Sequence, residues 1–410
     1  MVNNFLKIFS EGWESFKRSF PSYDNTHCNK QVSAILKCGD PKFGFSQYMC
    51  LSCGKSSKVV AHSCKSKFCL RCGRVDGENF AESIAGKLYE DVDYRHLVLT
   101  IPSQFRSIFY RDRFCGDLYS SFIGMGWSFV KSFMSRVAGE DLECGCLIVL
   151  HTVGRKSDFK PHLHVMLMSG GINSAGQWMA LKNFDYSILN RTWKQTLLKG
   201  MREWDECGYF GKVFDDVESR YKGFYAHIDS NPAPKKRRNL IRYLSKYLCR
   251  PQISLKRLLR YNPKNDKVVY RYSSHSSGKN EVEKTDVKTF IGRMVQQILP
   301  PRFKRICYYG LQFPSNRSRL TAKVCEAVGR LSLMPEVERR SKVAERLSYK
   351  SLIEIWWGSD PFKCPHCGGR LELARIWKPV KDWVFNIFEQ LFGYDVGPPG
   401  QLPSFLTAPG

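Results

Sequence analysis

Paired cysteines near the N-terminus are the feature that most limits what this chain can fold into. Seven of its 16 cysteines lie in about the first 80 residues, and they include the CxxC pairs Cys50–Cys53 and Cys69–Cys72, which are separated by fifteen residues. Zinc takes four soft ligands in a tetrahedron, and two such pairs supply them. We therefore expect a zinc-binding module at about residues 20–80, with these four cysteines as ligands to a structural Zn²⁺.

Further cysteines leave alternatives open. Cys38 and Cys64 would complete a second zinc site in the same module or would simply pack within it. The late pair Cys364–Cys367, in the sequence CPHC, is only half a zinc site. Its two thiols need partners from elsewhere in the chain.

The net charge predicts a polyanionic partner. The 64 Lys and Arg residues against 38 Asp and Glu give +26 at pH 7, a charge that is typical of proteins that bind nucleic acid. Lys65, Lys67 and Arg71 lie among the cysteines and would give the zinc module a surface suited to DNA. No apolar run approaches the ~20 residues of a membrane span, and the N-terminus lacks an apolar signal core. We expect a cytoplasmic protein that binds DNA and no membrane.

Three apolar runs predict strands of one domain at about residues 91–300. They are Tyr94–Pro102, Gly145–Arg155 and Pro161–Gly171, and a polar loop joins the last two into a hairpin. Residues 105–138 between the first two strands have helical spacing. This mixture of elements indicates an α+β fold.

Two histidines open the third of these strands. Residues i and i+2 of a strand point to the same face, so His162 and His164 project together while Leu163 points the other way. Two imidazoles on one face begin a binding site for a divalent ion. His151 on the preceding strand is the best candidate for a third ligand, if the register of the hairpin turns it to the same face. The alternative is a pair of structural histidines.

A pair of tyrosines follows in the run IRYLSKYLCR. Tyr243 and Tyr247 are four residues apart, which puts them on one face of a helix. The same helix carries Arg242, Lys246 and Arg250, which would accept a phosphate backbone. A tyrosine hydroxyl can attack a DNA phosphodiester and form a phosphotyrosine bond. The alternative is that the two rings only pack against a core.

The order of the motifs carries a family resemblance. In chain order they are SCKSKFCLRCGR, HLVLTIP, LHTVGR, PHLHVMLMSGG, IRYLSKYLCRPQIS, VVYRYSSH, FIGRMVQQILPPRFKRICYYGL and CPHCGGRL. From about residue 25 to about residue 375 the sequence resembles the rolling-circle transposases of bacterial insertion sequences, which belong to the HUH endonuclease superfamily.

The resemblance implies a fold and a set of domains. The expected core is an antiparallel sheet flanked by helices, with the HxH strand central and the tyrosine helix packed across it. A small Cys-rich zinc-binding module precedes this core, and a basic helical extension follows it at residues 301–392. Apart from the resemblance, the Gly- and Pro-rich composition after Gly393 leads us to expect a flexible tail at residues 393–410.

The resemblance also implies roles for individual residues. His162 and His164 match the HUH ligands of a catalytic Mg²⁺ or Mn²⁺, and either or both of Tyr243 and Tyr247 match the nucleophile. The N-terminal cysteines match the zinc-binding domain of these transposases.

The chain departs from the family pattern after the tyrosines. Leu248-Cys249 stands where family members often have a histidine, and Pro251 occupies a position that in single-tyrosine relatives holds a polar ligand. The histidine of the family pattern is therefore absent and Pro251 cannot serve as a ligand, which strengthens the case for a ligand from the neighbouring strand, where His151 is the candidate.

The implied function is a transposase that nicks and rejoins single-stranded DNA at the ends of an insertion sequence through a 5′-phosphotyrosine. Such a protein would be associated with the bacterial nucleoid. Two alternatives stay open: a plasmid or phage rolling-circle replication initiator or relaxase with the same chemistry, and a non-catalytic zinc-dependent DNA-binding protein. The sequence leaves the oligomeric state undetermined.

Overall fold

The computed structural model describes residues 4–66, 68–220, 224–249, 253–273, 278–329, 359–379 and 382–387. The helices are α1 (Asn4–Ser19), α2 (Thr26–Leu36), α3 (Cys72–Ala85), α4 (Arg106–Asp112), α5 (Asp117–Ala138), α6 (Tyr186–Trp204), α7 (Gly211–Arg220), α8 (Arg237–Leu244), α9 (Val287–Val295) and α10 (Arg317–Ala327). The strands are β1 (Phe45–Cys50), β2 (Ser57–Ala61), β3 (Tyr94–Thr100), β4 (Gly145–Val153), β5 (Phe159–Met168), β6 (Gly170–Ile172), β7 (Trp178–Ala180), β8 (Ala226–Ile228), β9 (Leu258–Asn262), β10 (Lys267–Ser273), β11 (Asn280–Asp286), β12 (Ile306–Gly310), β13 (Leu371–Lys378) and β14 (Asp382–Asn386).

Contacts divide the chain into two compact units. The first contains the described residues up to Asn29 and those from Asp76 to residue 329. The second contains Lys30–Val75 together with residues 359–379 and 382–387. The division into four domains stays a prediction. The second compact unit combines a segment near the N-terminus with segments near the C-terminus.

The first unit is built on a five-stranded sheet in the order β12-β4-β5-β3-β8, in which all neighbouring strands are antiparallel. The three strands predicted from apolar runs are β3, β4 and β5, and β5 with its two histidines lies in the middle. The expectation of a mixed fold with an antiparallel sheet is confirmed.

Strand alternation gives the sheet two apolar faces. On one face Leu163, Val165 and Leu167 of β5 are fully buried against the phenylalanines of α5 and the side chains of α6. On the other face Leu147 and Val149 of β4 and Met166 of β5 share a buried cluster with the segment that carries the tyrosines, through Leu244 and Leu248. Helical segments therefore cover both faces, and the predicted active-site residues lie on the second face.

The C-terminal third is not simply helical. Within its described residues, β12 completes an edge of the central sheet by pairing with β4. Strands β13 and β14 join β1 and β2 in the four-stranded sheet of the second unit, in the order β14-β13-β1-β2. The expectation of a helical extension is wrong for these strands, because their apolar residues pair with strands far away in sequence, which a local pattern does not reveal.

The first unit also contains a three-stranded sheet in the order β11-β10-β9. Asp286 ends β11 and caps α9 by accepting a hydrogen bond from the Thr289 backbone N–H at 2.8 Å. Such a cap satisfies one of the free amides of the first helical turn. None of the helices in the described ranges is long and apolar enough to cross a membrane.

The packing of α5 on the sheet generates a stability prediction. A Cβ built at Gly126 would lie 2.6 Å from Leu163 Cδ1 and 3.3 Å from Ile148 Cδ1, whereas nothing lies within 4 Å of one built at Gly124. We expect Gly126→Val to lower the free energy of unfolding by about 1–3 kcal/mol through overpacking. Gly124→Val, on the same helix, should leave stability unchanged or slightly raise it because valine has the higher helix propensity. Urea unfolding followed by circular dichroism compares the two, and an equal effect of both variants would contradict the packing argument.

Candidate active site and metal sites

Three histidines meet on two neighbouring strands of the central sheet. In the antiparallel register His151 of β4 lies directly opposite His162 of β5, and His164 follows two residues later. One ring nitrogen of each histidine lies within 4.8 Å of the others. The register, which the sequence left open, thus turns His151 to the face of the HxH pair.

Backbone carbonyls orient two of the rings. His162 Nδ1–H donates to the Lys160 carbonyl oxygen at 2.7 Å, and His151 Nε2–H donates to the Leu248 carbonyl oxygen at 3.1 Å. A carbonyl only accepts, so each bond fixes the tautomer of its ring. The basic nitrogens of the neutral rings are then Nε2 of His162 and Nδ1 of His151.

His96 of β3 orients the third ring. Its Nε2 lies 2.7 Å from His164 Nδ1, and its Nδ1 lies 3.5 Å from Asp229 Oδ2, just after β8. With neutral rings, a proton on His96 Nδ1 faces the carboxylate, and His164 Nδ1–H donates to His96 Nε2. Histidine ligands of metals are held in this way by outer hydrogen bonds that end on a carboxylate or a carbonyl.

The resulting geometry suits a divalent cation. His162 Nε2 and His164 Nε2 are 3.1 Å apart, and in the tautomers above both nitrogens present lone pairs to each other. Two imidazole nitrogens bound to one ion at about 2.1 Å are separated by about 3.0–3.4 Å. The donor set therefore fits a metal ion, and three imidazoles favour Mn²⁺ over Mg²⁺, which prefers oxygen ligands.

Burial keeps the histidines in the form that binds metals. Removal from water lowers the pKa of His162 to about 4. Burial, together with the charges of the neighbouring histidines, holds the pKa values of His151 and His164 well below the usual value for histidine. The three rings are therefore neutral at physiological pH, as metal ligation requires.

The tyrosines lie beside this cluster on a helix that changes its winding. Helix α8 ends at Leu244, and Ser245–Cys249 continues as a π-helical turn, a conformation that is frequent at functional sites. The Tyr243 and Tyr247 rings lie 4.8 Å apart, measured between centroids. The Tyr247 ring is 5.2 Å from the His96 ring. The predicted juxtaposition of the tyrosine pair is present, although only Tyr243 lies in α-helix.

The two hydroxyl groups differ in their surroundings. Tyr243 Oη donates to Asp229 Oδ2 at 2.8 Å. Burial and this bond to a carboxylate raise the pKa of Tyr243, and the hydrogen bond from His96 lowers the pKa of Asp229. Within the described part of the chain, the Tyr247 hydroxyl makes no hydrogen bond. Tyr243 is thus held as a neutral phenol.

Basic side chains accompany the tyrosines. Arg242 and Lys246 are exposed, and Lys246 Nζ lies 4.7 Å from the centroid of the Tyr247 ring. Among the residues predicted to contact DNA in the zinc module, Lys65 and Arg71 are also exposed. The predicted contacts Lys67 and Arg250 lie outside the described residues.

The cysteines separate into clusters that differ from the predicted pairing. Cys69 and Cys72 lie with Cys38 and Cys64, not with Cys50 and Cys53, which instead lie with Cys364 and Cys367. The cause is the β1–β2 hairpin, which pairs Phe45 with Ala61 and Met49 with Ser57. Cys50 and Cys53 occupy its turn, whereas Cys38 and Cys64 flank its open end. Five residues of strand, about 17 Å, separate the two positions.

The first cluster has the features of a structural zinc site. Cys72 Sγ lies 3.4 Å from Cys38 Sγ and 3.6 Å from Cys64 Sγ, close to the about 3.8 Å of a tetrahedral ZnS₄ group with bonds of about 2.3 Å. The backbone N–H of Cys64 donates to Cys38 Sγ at 3.5 Å. Hydrogen bonds from the thiols of Cys64, Cys69 and Cys72 hold the pKa of Cys38 below its usual range. These four residues fit Zn²⁺.

Sequence reasoning missed His96 and Asp229. His96 lies at the start of a strand that was recognised, and a lone histidine in an apolar run was the available signal. Its position diagonal to His164 depends on the β3–β5 register, in which Val98 faces His164. Asp229 follows a strand of three residues, which is too short to show the alternation that predicts strands.

Comparisons with known proteins match this chain to transposases. A family model described as "Transposase zinc-binding domain" matches residues 8–101, and one described as "Putative transposase" matches residues 145–319. The chain is 24% identical over 359 residues to the transposase for insertion sequence element IS801 of Pseudomonas savastanoi pv. phaseolicola, covering 83% of this chain and 82% of the relative. It is 23% identical over 377 residues to "Putative transposase y4qJ" of Sinorhizobium fredii, covering 88% and 92%. No solved structure matches.

The histidine cluster generates a metal-binding prediction. Loss of a residue that hydrogen-bonds a metal ligand typically weakens metal binding about 10–100-fold. His96 hydrogen-bonds His164, so His96→Leu should weaken Mn²⁺ binding by that factor. His162→Ala should weaken it by more than about a hundredfold, because a ligand itself is lost. His27→Gln serves as the control, because His27 bonds only the distant Leu299 carbonyl oxygen among the described contacts. Electron paramagnetic resonance of free Mn²⁺ measures all three, and unchanged affinity in His162→Ala would exclude this site.

Proposed function

Because the chain belongs to the insertion-sequence transposases that carry an N-terminal zinc-binding domain, we propose that it nicks and rejoins single-stranded DNA at the ends of its element through a 5′-phosphotyrosine. The observation that carries the proposal is the contact between the tyrosine segment and the histidine cluster. His151 donates to the carbonyl oxygen of Leu248, next to Tyr247, and His96 lies between His164 and the two tyrosine rings. These contacts support the proposal because they put the proposed nucleophiles next to the proposed metal ligands.

The proposed step is an in-line displacement at phosphorus. The tyrosine oxygen forms a bond to the phosphate and releases its proton, while the bond from phosphorus to the 3′ oxygen breaks and that oxygen takes up a proton. A divalent ion on His151, His162 and His164 would polarise the scissile phosphate and offset the charge that builds on it. Rejoining reverses the step with a new 3′-OH, so that no nucleotide cofactor is consumed.

We assign the first attack to Tyr247. Its hydroxyl carries no hydrogen bond within the described residues, whereas Tyr243 donates to Asp229 and has a raised pKa. Asp229 has a lowered pKa, which makes it a weak base toward a phenol. Tyr243 would then attack second, after DNA binding or the first strand transfer breaks its bond to Asp229.

The remaining residues support DNA binding. Exposed Arg242 and Lys246 lie on the tyrosine segment and would hold the phosphate backbone next to the nucleophile. The second unit, which contains the cysteine clusters, presents the exposed Lys65 and Arg71. We assign a structural Zn²⁺ in this unit to Cys38, Cys64, Cys69 and Cys72. This unit would recognise the end of the element.

The matches favour transposition over the related chemistries. Transposase relatives imply an enzyme that cleaves and transfers DNA, and no feature of the site favours a replication initiator or a relaxase. A non-catalytic DNA-binding protein does not require neutral histidines that converge beside two tyrosines.

A covalent adduct tests the proposal. An end-labelled single strand that carries the terminus of the element, incubated with Mn²⁺, should form a protein–DNA adduct that survives a denaturing gel. His162→Ala and the double variant Tyr243→Phe/Tyr247→Phe should abolish it, and Tyr209→Phe, at an exposed tyrosine, should not. Adduct formation by the double Phe variant would refute tyrosine chemistry.

Single variants test the order of attack. Tyr247→Phe should slow formation of the first adduct at least about a thousandfold, since loss of a covalent nucleophile elsewhere costs up to about a millionfold. Tyr243→Phe should form the adduct at close to the wild-type rate but should fail to transfer a second strand. Mass spectrometry of the DNA-linked peptide identifies the residue, and a first adduct on Tyr243 in the wild-type protein would reverse the assignment.

A further inference from the structure

A second cluster of four cysteines lies at one end of the sheet of the second unit. Cys50 Sγ is 3.5 Å from Cys367 Sγ, and Cys53 Sγ is 3.7 Å from Cys364 Sγ. All four sulfurs lie within 4.8 Å of one another. The family model for the zinc-binding domain ends at residue 101, so it contains only half of this cluster. The transposase model ends at residue 319 and contains none of it.

The two halves of the cluster have matching backbone turns. Each has the sequence Cys-x-x-Cys-Gly, and in each the glycine N–H donates to the carbonyl oxygen of the first cysteine, at 2.9 Å for Gly54 and 3.0 Å for Gly368. Both glycines have left-handed backbone, with φ of 68° and 73°, which favours glycine. The turns therefore place two thiols on one side of each loop, as metal-binding knuckles do.

The sheet brings these two turns together. Strand β1 ends at Cys50 and pairs with β13 in antiparallel register, with Cys50 opposite Leu371. The second turn comes just before β13, and the backbone N–H of Leu371 donates to the Phe362 carbonyl oxygen at 2.7 Å. The strand pairing therefore brings the two turns to the same end of the sheet.

The surroundings suit a metal ion better than a disulfide or an apolar core. Sulfur separations of 3.5 and 3.7 Å are far from the about 2.05 Å of an S–S bond and close to the about 3.8 Å edge of a ZnS₄ tetrahedron. The Gly369 N–H donates to Cys367 Sγ at 3.4 Å, a bond that stabilises a thiolate. Phe362 and Leu371 cover one side of the cluster, while Cys367 is exposed.

We propose that Cys50, Cys53, Cys364 and Cys367 bind a second structural Zn²⁺, separate from the one held by Cys38, Cys64, Cys69 and Cys72. The ion joins the N-terminal zinc-binding sequence to a C-terminal segment more than 300 positions away. The late CPHC motif thereby belongs to the second unit, and its metal site is complete only after Cys367 has been synthesised. The inference does not depend on the strand-transfer chemistry.

Thiol labelling of the wild-type protein tests the proposal without any substitution. The full chain, purified with Zn²⁺, is treated with N-ethylmaleimide before and after chelation, and the labelled peptides are identified by mass spectrometry. Cys367 is exposed, so only a bound metal would protect it, and it should react at least about tenfold more slowly before chelation than after, because metal ligation holds the thiol as a bound thiolate. Exposed Cys207 should react equally in both states. Equal labelling of Cys367 in both states would overturn the proposal.

Metal content gives an independent readout. Inductively coupled plasma mass spectrometry is run on chains that all carry His162→Ala, which removes a ligand of the histidine cluster. It should find two Zn²⁺ per chain with no cysteine changed, one after Cys364→Ser/Cys367→Ser and two in the control Cys207→Ser. Cobalt substitution of the wild-type chain should give two ions with the thiolate charge-transfer and d–d bands of tetrahedral CoS₄. Two Zn²⁺ retained in the double variant, or one Co²⁺ in the wild type, would contradict the second site.

Discussion

The antiparallel register between β4 and β5 is the constraint on which the candidate site depends. It sets His151 opposite His162 and leaves His164 one step further along the same face. A shift by one residue would turn every side chain of β5 to the other face, so the register is fixed by the fully buried Leu163, Val165 and Leu167 on the opposite side. The apolar core on one face of the sheet thus determines which histidines meet on the other.

Hydrogen bonds couple the histidines to the tyrosine segment. Leu248 buries its side chain in the core of the second face while its carbonyl oxygen accepts from His151. Asp229 accepts from Tyr243 and faces His96, which bonds His164. Each bond orients a ring. His96 and His151 are buried, and a buried polar group left without a partner costs about 1–3 kcal/mol. The positions of the three clustered histidines and of the tyrosines are therefore determined by the same contacts.

Features with a local period could be predicted from the sequence. Alternation identified the three central strands and the HxH face, and the four-residue spacing identified the tyrosine pair. Features that depend on pairing between distant segments could not be predicted. His96 joins the site only through the β3–β5 register, and the cysteines exchange partners because a hairpin separates Cys50 and Cys53 from Cys69 and Cys72. The partners of Cys50 and Cys53 come from the other end of the chain, where spacing carries no information.

The proposed chemistry requires that the β4–β5 register build a three-histidine metal site beside the tyrosines. The most direct test is anomalous diffraction at the manganese edge from crystals of the wild-type protein soaked in Mn²⁺. A three-histidine site should give one strong peak bonded to a nitrogen of each of His151, His162 and His164, next to the Tyr247 side chain. A manganese ion that is not bonded to His151 would contradict this site. So would a manganese ion bound elsewhere while the three histidine rings remain in contact with one another.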